Sequence, residues 1–81
     1  MSSFNLNTYV IGGPENIQER HLLPSETKSK ALVRFVDIFS SLGLDVFQLR
    51  FKNSSDDDFL KLANEIVQVL KNTNCKFCIN D

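Results

Sequence analysis

The stretch Gln48-Leu49-Arg50-Phe51-Lys52 places an amide, a guanidinium and an ammonium at alternate positions. In an extended chain, alternation carries such residues to one side. Arginine offers a planar fork of N–H donors that matches phosphate oxygens, and lysine adds a compact point charge. Together they suit a diphosphate better than a single carboxylate. A second cluster, Ile79-Asn80-Asp81, offers an amide and a hard oxygen ligand. Magnesium favours such carboxylates while keeping waters and phosphate oxygens as its other ligands. If the two clusters sit on neighbouring strand ends, the cations Arg50 and Lys52 and a Mg²⁺ carboxylate at Asp81 would make a diphosphate site, with the Gln48 and Asn80 amides beside it. The alternative is a half-exposed strand whose Gln48 and Arg50 simply meet water.

Other segments of chemical interest have plainer explanations. Cys75-Lys76-Phe77-Cys78 has C-x-x-C spacing. On a strand, however, its two cysteines face opposite sides with Cα atoms ~10 Å apart, too far for a disulfide. They read as ordinary buried or half-buried thiols. Asp56-Asp57-Asp58 follows Ser55, so the acids sit where a helix start favours negative charge. His21 is the only histidine and has no cysteine nearby, so it reads as a solvated loop residue. Gly12-Gly13-Pro14 lacks the pattern of a phosphate-binding glycine loop and reads as a turn, with a place at a strand's rim still open to it. The phenylalanines read as core.

The elements that would position these residues follow from periodicity. Thr8-Tyr9-Val10-Ile11 is β-branched and aromatic and predicts a strand over 8–11, stopped by Gly12-Gly13-Pro14. The polar connection over 15–24 carries no period. Ser25 then suits an N-cap, and Ala31, Leu32, Phe35, Ile38, Phe39 and Leu42 recur at helical spacing, predicting a helix over 26–42. Gly43 stands where a left-handed residue closes a helix, and Leu44 supplies its usual apolar contact. A strand follows over 44–50, with Val46, Gln48 and Arg50 on one face and Phe47 and Leu49 on the other. Ser55 caps a second helix over 56–71, whose apolar stripe is Phe59, Leu62, Ala63, Ile66, Val67 and Leu70. After a turn over 72–74, a third strand is expected over 76–80. The order β-α-β-α-β, about 30 residues to a unit, predicts parallel strands joined by right-handed crossovers. In such folds ligands bind beyond the carboxyl ends of the strands, where Arg50 and Lys52 fall.

Composition narrows the functional classes. The 81 residues allow a single small domain over 1–81, and 42% hydrophobic content is too high for a disordered tail. A net charge of −1 removes the electrostatic case for a nucleic-acid partner. No apolar run reaches the ~18–20 residues of a membrane span, and the start of the chain has no secretory pattern. Two cysteines do not make a disulfide scaffold. The expectation is a soluble cytoplasmic protein.

The run from Val46 through Gln48-Leu49-Arg50-Phe51-Lys52-Asn53, the helix bearing Phe59, Leu62, Ala63 and Ile66, and the end Cys78-Ile79-Asn80-Asp81 resemble the first third of the thiamine phosphate synthase family. That family shows a Q-L-R-x-K strand end and an I-N-D strand end at this separation. The likeness covers about residues 43–81. Residues 1–42 fit more loosely, since Gly12-Gly13-Pro14 stands where the family has a short Thr-Asp type turn. The resemblance implies a (β/α)₈ TIM barrel, of which this β-α-β-α-β segment is incomplete at 81 residues, because such barrels need at least ~200. It implies a Mg²⁺-dependent transferase of thiamine biosynthesis. The reaction couples a hydroxymethylpyrimidine diphosphate to a thiazole phosphate with release of pyrophosphate. In that scheme Arg50 and Lys52 hold the diphosphate, Gln48 and Asn80 orient the pyrimidine and its diphosphate, and Asp81 ligates Mg²⁺. Taken as an isolated polypeptide, the chain is expected to be truncated and inactive. Two alternatives stand beside this: a thiazole tautomerase-like relative, disfavoured because an isomerase of a monophosphate needs no diphosphate clamp, and a non-catalytic barrel remnant that self-associates through its open sheet edge as a homo-oligomer.

Overall fold

A computed structural model describes residues 8–52 and 54–79. Three strands, β1 (Tyr9–Gly12), β2 (Val46–Leu49) and β3 (Lys76–Ile79), form one sheet in the order β1-β2-β3. Both pairings are parallel, with Ile11 opposite Gln48 and Gln48 opposite Cys78. Two helices supply the crossovers, α1 (Lys28–Ser41) between β1 and β2 and α2 (Asp56–Leu70) between β2 and β3. This is the expected α/β arrangement of parallel strands. Among the described residues no helix is long and apolar enough to cross a membrane.

Side-chain alternation on β2 decides where the core lies. Phe47 and Leu49 point towards the helices and are essentially sealed from water. They join Ala31, Leu32 and Val36 of α1 and Leu62, Ala63, Ile66 and Leu70 of α2 in one apolar cluster. Burying a side chain of that size stabilises the fold by ~1.5–3 kcal/mol. Phe77, the β3 partner of Phe47, stacks on it with ring centroids 6.4 Å apart. The face formed by Tyr9, Ile11, Val46, Gln48, Lys76 and Cys78 is the opposite one, and its Tyr9, Ile11, Lys76 and Cys78 are exposed.

The stop of α1 follows from its sequence and its start does not. Gly43 adopts φ 104°, a region that side chains with a Cβ avoid. Its N–H donates to Ser40 O and the Leu44 N–H to Phe39 O, the two bonds of a Schellman closure. At the other end Thr27, not Ser25, is the N-cap, its Oγ1 accepting from the Lys30 N–H at 3.1 Å. Ser25 takes a positive φ of 63° in the turn before it. Glu26 is thereby freed for a long-range pairing with Arg34 and lies outside the helix. Ser55 caps α2 as expected, its Oγ accepting from the Asp58 N–H, and the three aspartates lie in the first turn.

Several core expectations need correction. Among the described residues Phe47 is the one phenylalanine in the buried cluster; Phe35, Phe51, Phe59 and Phe77 are half-buried against it, and Phe39 is exposed. Ile38, Leu42 and Val67 are exposed as well, because two helices on one side of three strands leave their outer flanks uncovered. Val36 and Ser40 take the inward positions of α1, the Ser40 hydroxyl donating to Asp37 O. The connection after β1 is not featureless either. It holds two 3₁₀ turns, Pro14–Asn16 and Glu19–His21, too short to leave any periodicity.

Candidate functional site

The carboxyl ends of β1 and β2 are tied together. The Arg50 N–H donates to Gly12 O at 3.0 Å, extending the ladder one residue past β2. Gly13 lies so close to this junction that a Cβ there would overlap the Arg50 carbonyl oxygen. Only glycine permits that approach, which brings the Pro14–Asn16 turn over the end of the sheet. The turn is self-locked: Asn16 Oδ1 accepts from the Gly13 N–H at 2.8 Å, while the Asn16 N–H donates to Gly13 O at 3.0 Å.

Between the turn and the segment after β2 lies a cleft of about 290 Å³, lined by Ile11, Gly12, Glu15, Asn16, Arg50 and Lys52. This volume is at the lower end of the ~300–1,000 Å³ usual for small-molecule sites, a size for a head group. Arg50 and Lys52, picked out in the sequence, thus meet in one cavity, and both are exposed. The intervening Phe51 points the other way and stacks on Phe59 of α2 at 6.4 Å, anchoring the segment that carries the two cations. Gln48 sits deeper, on the same sheet face as Ile11, and its Nε2 donates to the Tyr9 hydroxyl at 2.7 Å. Asn80 and Asp81 lie outside the described residues.

Glu15 and Asn16 are the lining residues that sequence reasoning missed. The Gly12-Gly13-Pro14 run was the available signal, since it marked a turn at a strand's rim. Nothing local announced which side chains the turn would deliver.

The remaining chemically suggestive groups lie elsewhere. Cys75 is half-buried and burial pushes its thiol upward, which keeps it protonated and unreactive. Cys78 is exposed on β3, against the expectation of a buried or half-buried thiol, because its side of the edge strand faces no helix. Both thiols are free. His21 is exposed, as read, but not idle: its Nδ1 accepts from the Gln18 N–H and its ring meets Phe35 edge-on at 6.0 Å. Arg34 bridges this region to α1. It donates from Nε and Nη2 to Glu26, donates from Nη2 to His21 O, and lies 4.7 Å above the Phe35 ring. That pairing, followed by the Leu23 N–H bond, holds the Glu26 carboxyl down at about 2.

Residues 17–81 match the family model described as thiamine monophosphate synthase. No curated protein and no solved structure matches the chain.

Proposed function

Because the chain belongs to the thiamine monophosphate synthase family, we propose that it serves the coupling of a hydroxymethylpyrimidine diphosphate to a thiazole phosphate, with these strands as the first three of a (β/α)₈ barrel. The single observation that carries this reading is the convergence of Arg50 and Lys52 on one cleft at the carboxyl ends of β1 and β2. Barrel enzymes place their chemistry at that end of the strands.

The reaction breaks the bond between the pyrimidinylmethyl carbon and the diphosphate oxygen, and the electron pair leaves with the diphosphate. The thiazole nitrogen then supplies a new pair to that carbon. Negative charge gathers on the leaving group as the bond opens, so donors fixed around it lower the barrier more than they tighten the ground state. Arg50 binds two phosphate oxygens through its fork, Lys52 adds a compact point charge, and Gln48 and Asn80 orient the pyrimidine and its diphosphate.

Magnesium asks for one or two carboxylates beside phosphate oxygens and waters. The cleft brings one carboxylate, Glu15, beside the two cations, and no group of three acidic, histidine or cysteine side chains gathers among the described residues. That donor set fits a metal held chiefly by phosphate, with Asp81 as its proposed protein ligand. When bound, the ion would neutralise charge on the departing diphosphate.

Calorimetry with magnesium and inorganic pyrophosphate tests the reading on the 81-residue chain. Losing a charge-assisted pair costs ~1.5–3 kcal/mol, so Arg50→Ala should weaken pyrophosphate at least about tenfold. Equal binding by parent and variant would overturn the assignment. Binding of orthophosphate as tight as that of pyrophosphate would favour a tautomerase-like relative that handles a monophosphate.

A further inference from the structure

Arg50 and Lys52 line the cleft from the segment after β2, and another of its walls comes from the turn after β1. Asn16 makes a bond there that settles its orientation. A backbone N–H can only donate, so the atom facing Gly13 N at 2.8 Å must be the amide oxygen. The Nδ2 group, with two N–H donors and no protein partner among the described residues, is then what Asn16 offers the cleft. Gly13 itself is wedged against the Arg50 carbonyl, so the turn and the Arg50 backbone are held as one piece. An amide donor thus lines the same cleft as the guanidinium and ammonium of Arg50 and Lys52, its oxygen already held by the Gly13 N–H before any ligand arrives.

We propose that Asn16 is a further diphosphate-binding residue, donating its Nδ2–H to a phosphate oxygen held between Arg50 and Lys52. This rests on the diphosphate reading of the cleft and extends it to the segment after β1. Preset donors of this kind lose little freedom on binding. The cleft's single carboxylate, Glu15, stands beside Asn16 on the same turn. Its charge opposes a bare anion, which leaves the neutral amide as that wall's contribution to phosphate recognition.

Asn16→Asp is the informative variant. Its Oδ1 still accepts from the Gly13 N–H, so the turn is kept, while the donor group becomes an acceptor. Titration with pyrophosphate is run in excess chelator, so that the new carboxylate cannot recruit a metal ion. Gln18→Glu, which adds the same charge at an exposed site outside the cleft, reports the field effect alone. The expected result is at least tenfold weaker pyrophosphate binding by Asn16→Asp, with Gln18→Glu within about twofold of the parent. In the parent, the Asn16 side-chain amide protons should shift on pyrophosphate addition, a readout that stands even if the variant melts early. Parent-like binding by Asn16→Asp, equal losses in both variants, or amide protons that do not move would overturn the Asn16 role while leaving the Arg50 assignment in place. No pyrophosphate binding by the parent either in chelator or with magnesium, or binding indifferent to Arg50→Ala, would remove the underlying reading and this inference with it.

Discussion

Arg34 and Glu26 show how one residue's chemistry can override its local preference. A glutamate next to a helix start is a good first-turn residue, and on sequence grounds Glu26 belongs inside α1. Instead its carboxylate takes two N–H groups of Arg34 at 2.8 and 2.9 Å and the Leu23 N–H at 2.9 Å. With the Arg34 bond to His21 O, the pair pins the stretch over 21–26 onto α1. Its pH signature has a definite sign. Folded Glu26 takes up its proton at about 2, against an ordinary 4.5, so the folded state holds fewer protons across that window and is destabilised as pH falls through it. The difference in stability between the parent and Glu26→Gln should therefore be constant above about pH 5 and shrink towards pH 2. Urea midpoints at several pH values check this, and a difference independent of pH would refute the pairing's role. Arg50 and Lys52 were legible in the sequence because their alternate spacing pointed to one shared side, although the strand expected over 44–50 stops at Leu49 and both lie just beyond it. Asn16 was not, because its importance comes from Gly13 packing on Arg50, a contact between residues far apart in the chain.

Two glycines separate conformation from space as causes of local structure. Gly43 has φ 104° but nothing within 4 Å of where a Cβ would stand, so Gly43→Ala pays only in backbone strain, ~1–2 kcal/mol, and should leave ligand binding alone. Gly13 has an ordinary extended backbone at φ −150°, yet a Cβ there would overlap the Arg50 carbonyl and stand 2.9 Å from Glu15 Oε1. Gly13→Ala must push the Pro14–Asn16 turn away from β2, at ~1–3 kcal/mol, and should weaken pyrophosphate as well. Thermal midpoints alongside pyrophosphate calorimetry tell the two apart; a Gly13→Ala protein with parent affinity would show that the turn takes no part in the site. The sequence carried the Gly43 effect openly, since a helix stop with a following leucine is a local pattern. The Gly13 effect was hidden, as were both 3₁₀ turns, because three residues cannot display a period. The start of α1 was misplaced by two residues for a related reason: Ser25 and Thr27 are both competent caps, and the Arg34 pairing with Glu26 decides between them.

At the scale of the whole molecule, the β-α-β-α-β order and the parallel register were readable because amphipathic helices between short apolar runs permit few other topologies. Which apolar residues would be buried was less readable, since a helix's stripe does not say how many neighbours will cover it. With two helices on one side of three strands, only the shared middle is sealed. Leu49 is completely buried there, whereas Leu42, also a leucine of the expected stripe, is 79% exposed. That contrast gives a test of the architecture itself. Leu49→Ala should cost ~2–5 kcal/mol by transfer and cavity formation. A fold of 81 residues is worth only ~4–12 kcal/mol, so this one change should remove a large share of the stability and lower the denaturation midpoint accordingly. Leu42→Ala should stay within ~0.5 kcal/mol, as surface changes do. Chemical denaturation followed by circular dichroism measures both. Comparable losses for the two leucines would mean that the outer flank of α1 is covered in solution, and that the uncovered faces of the sheet and helices are occupied by another layer.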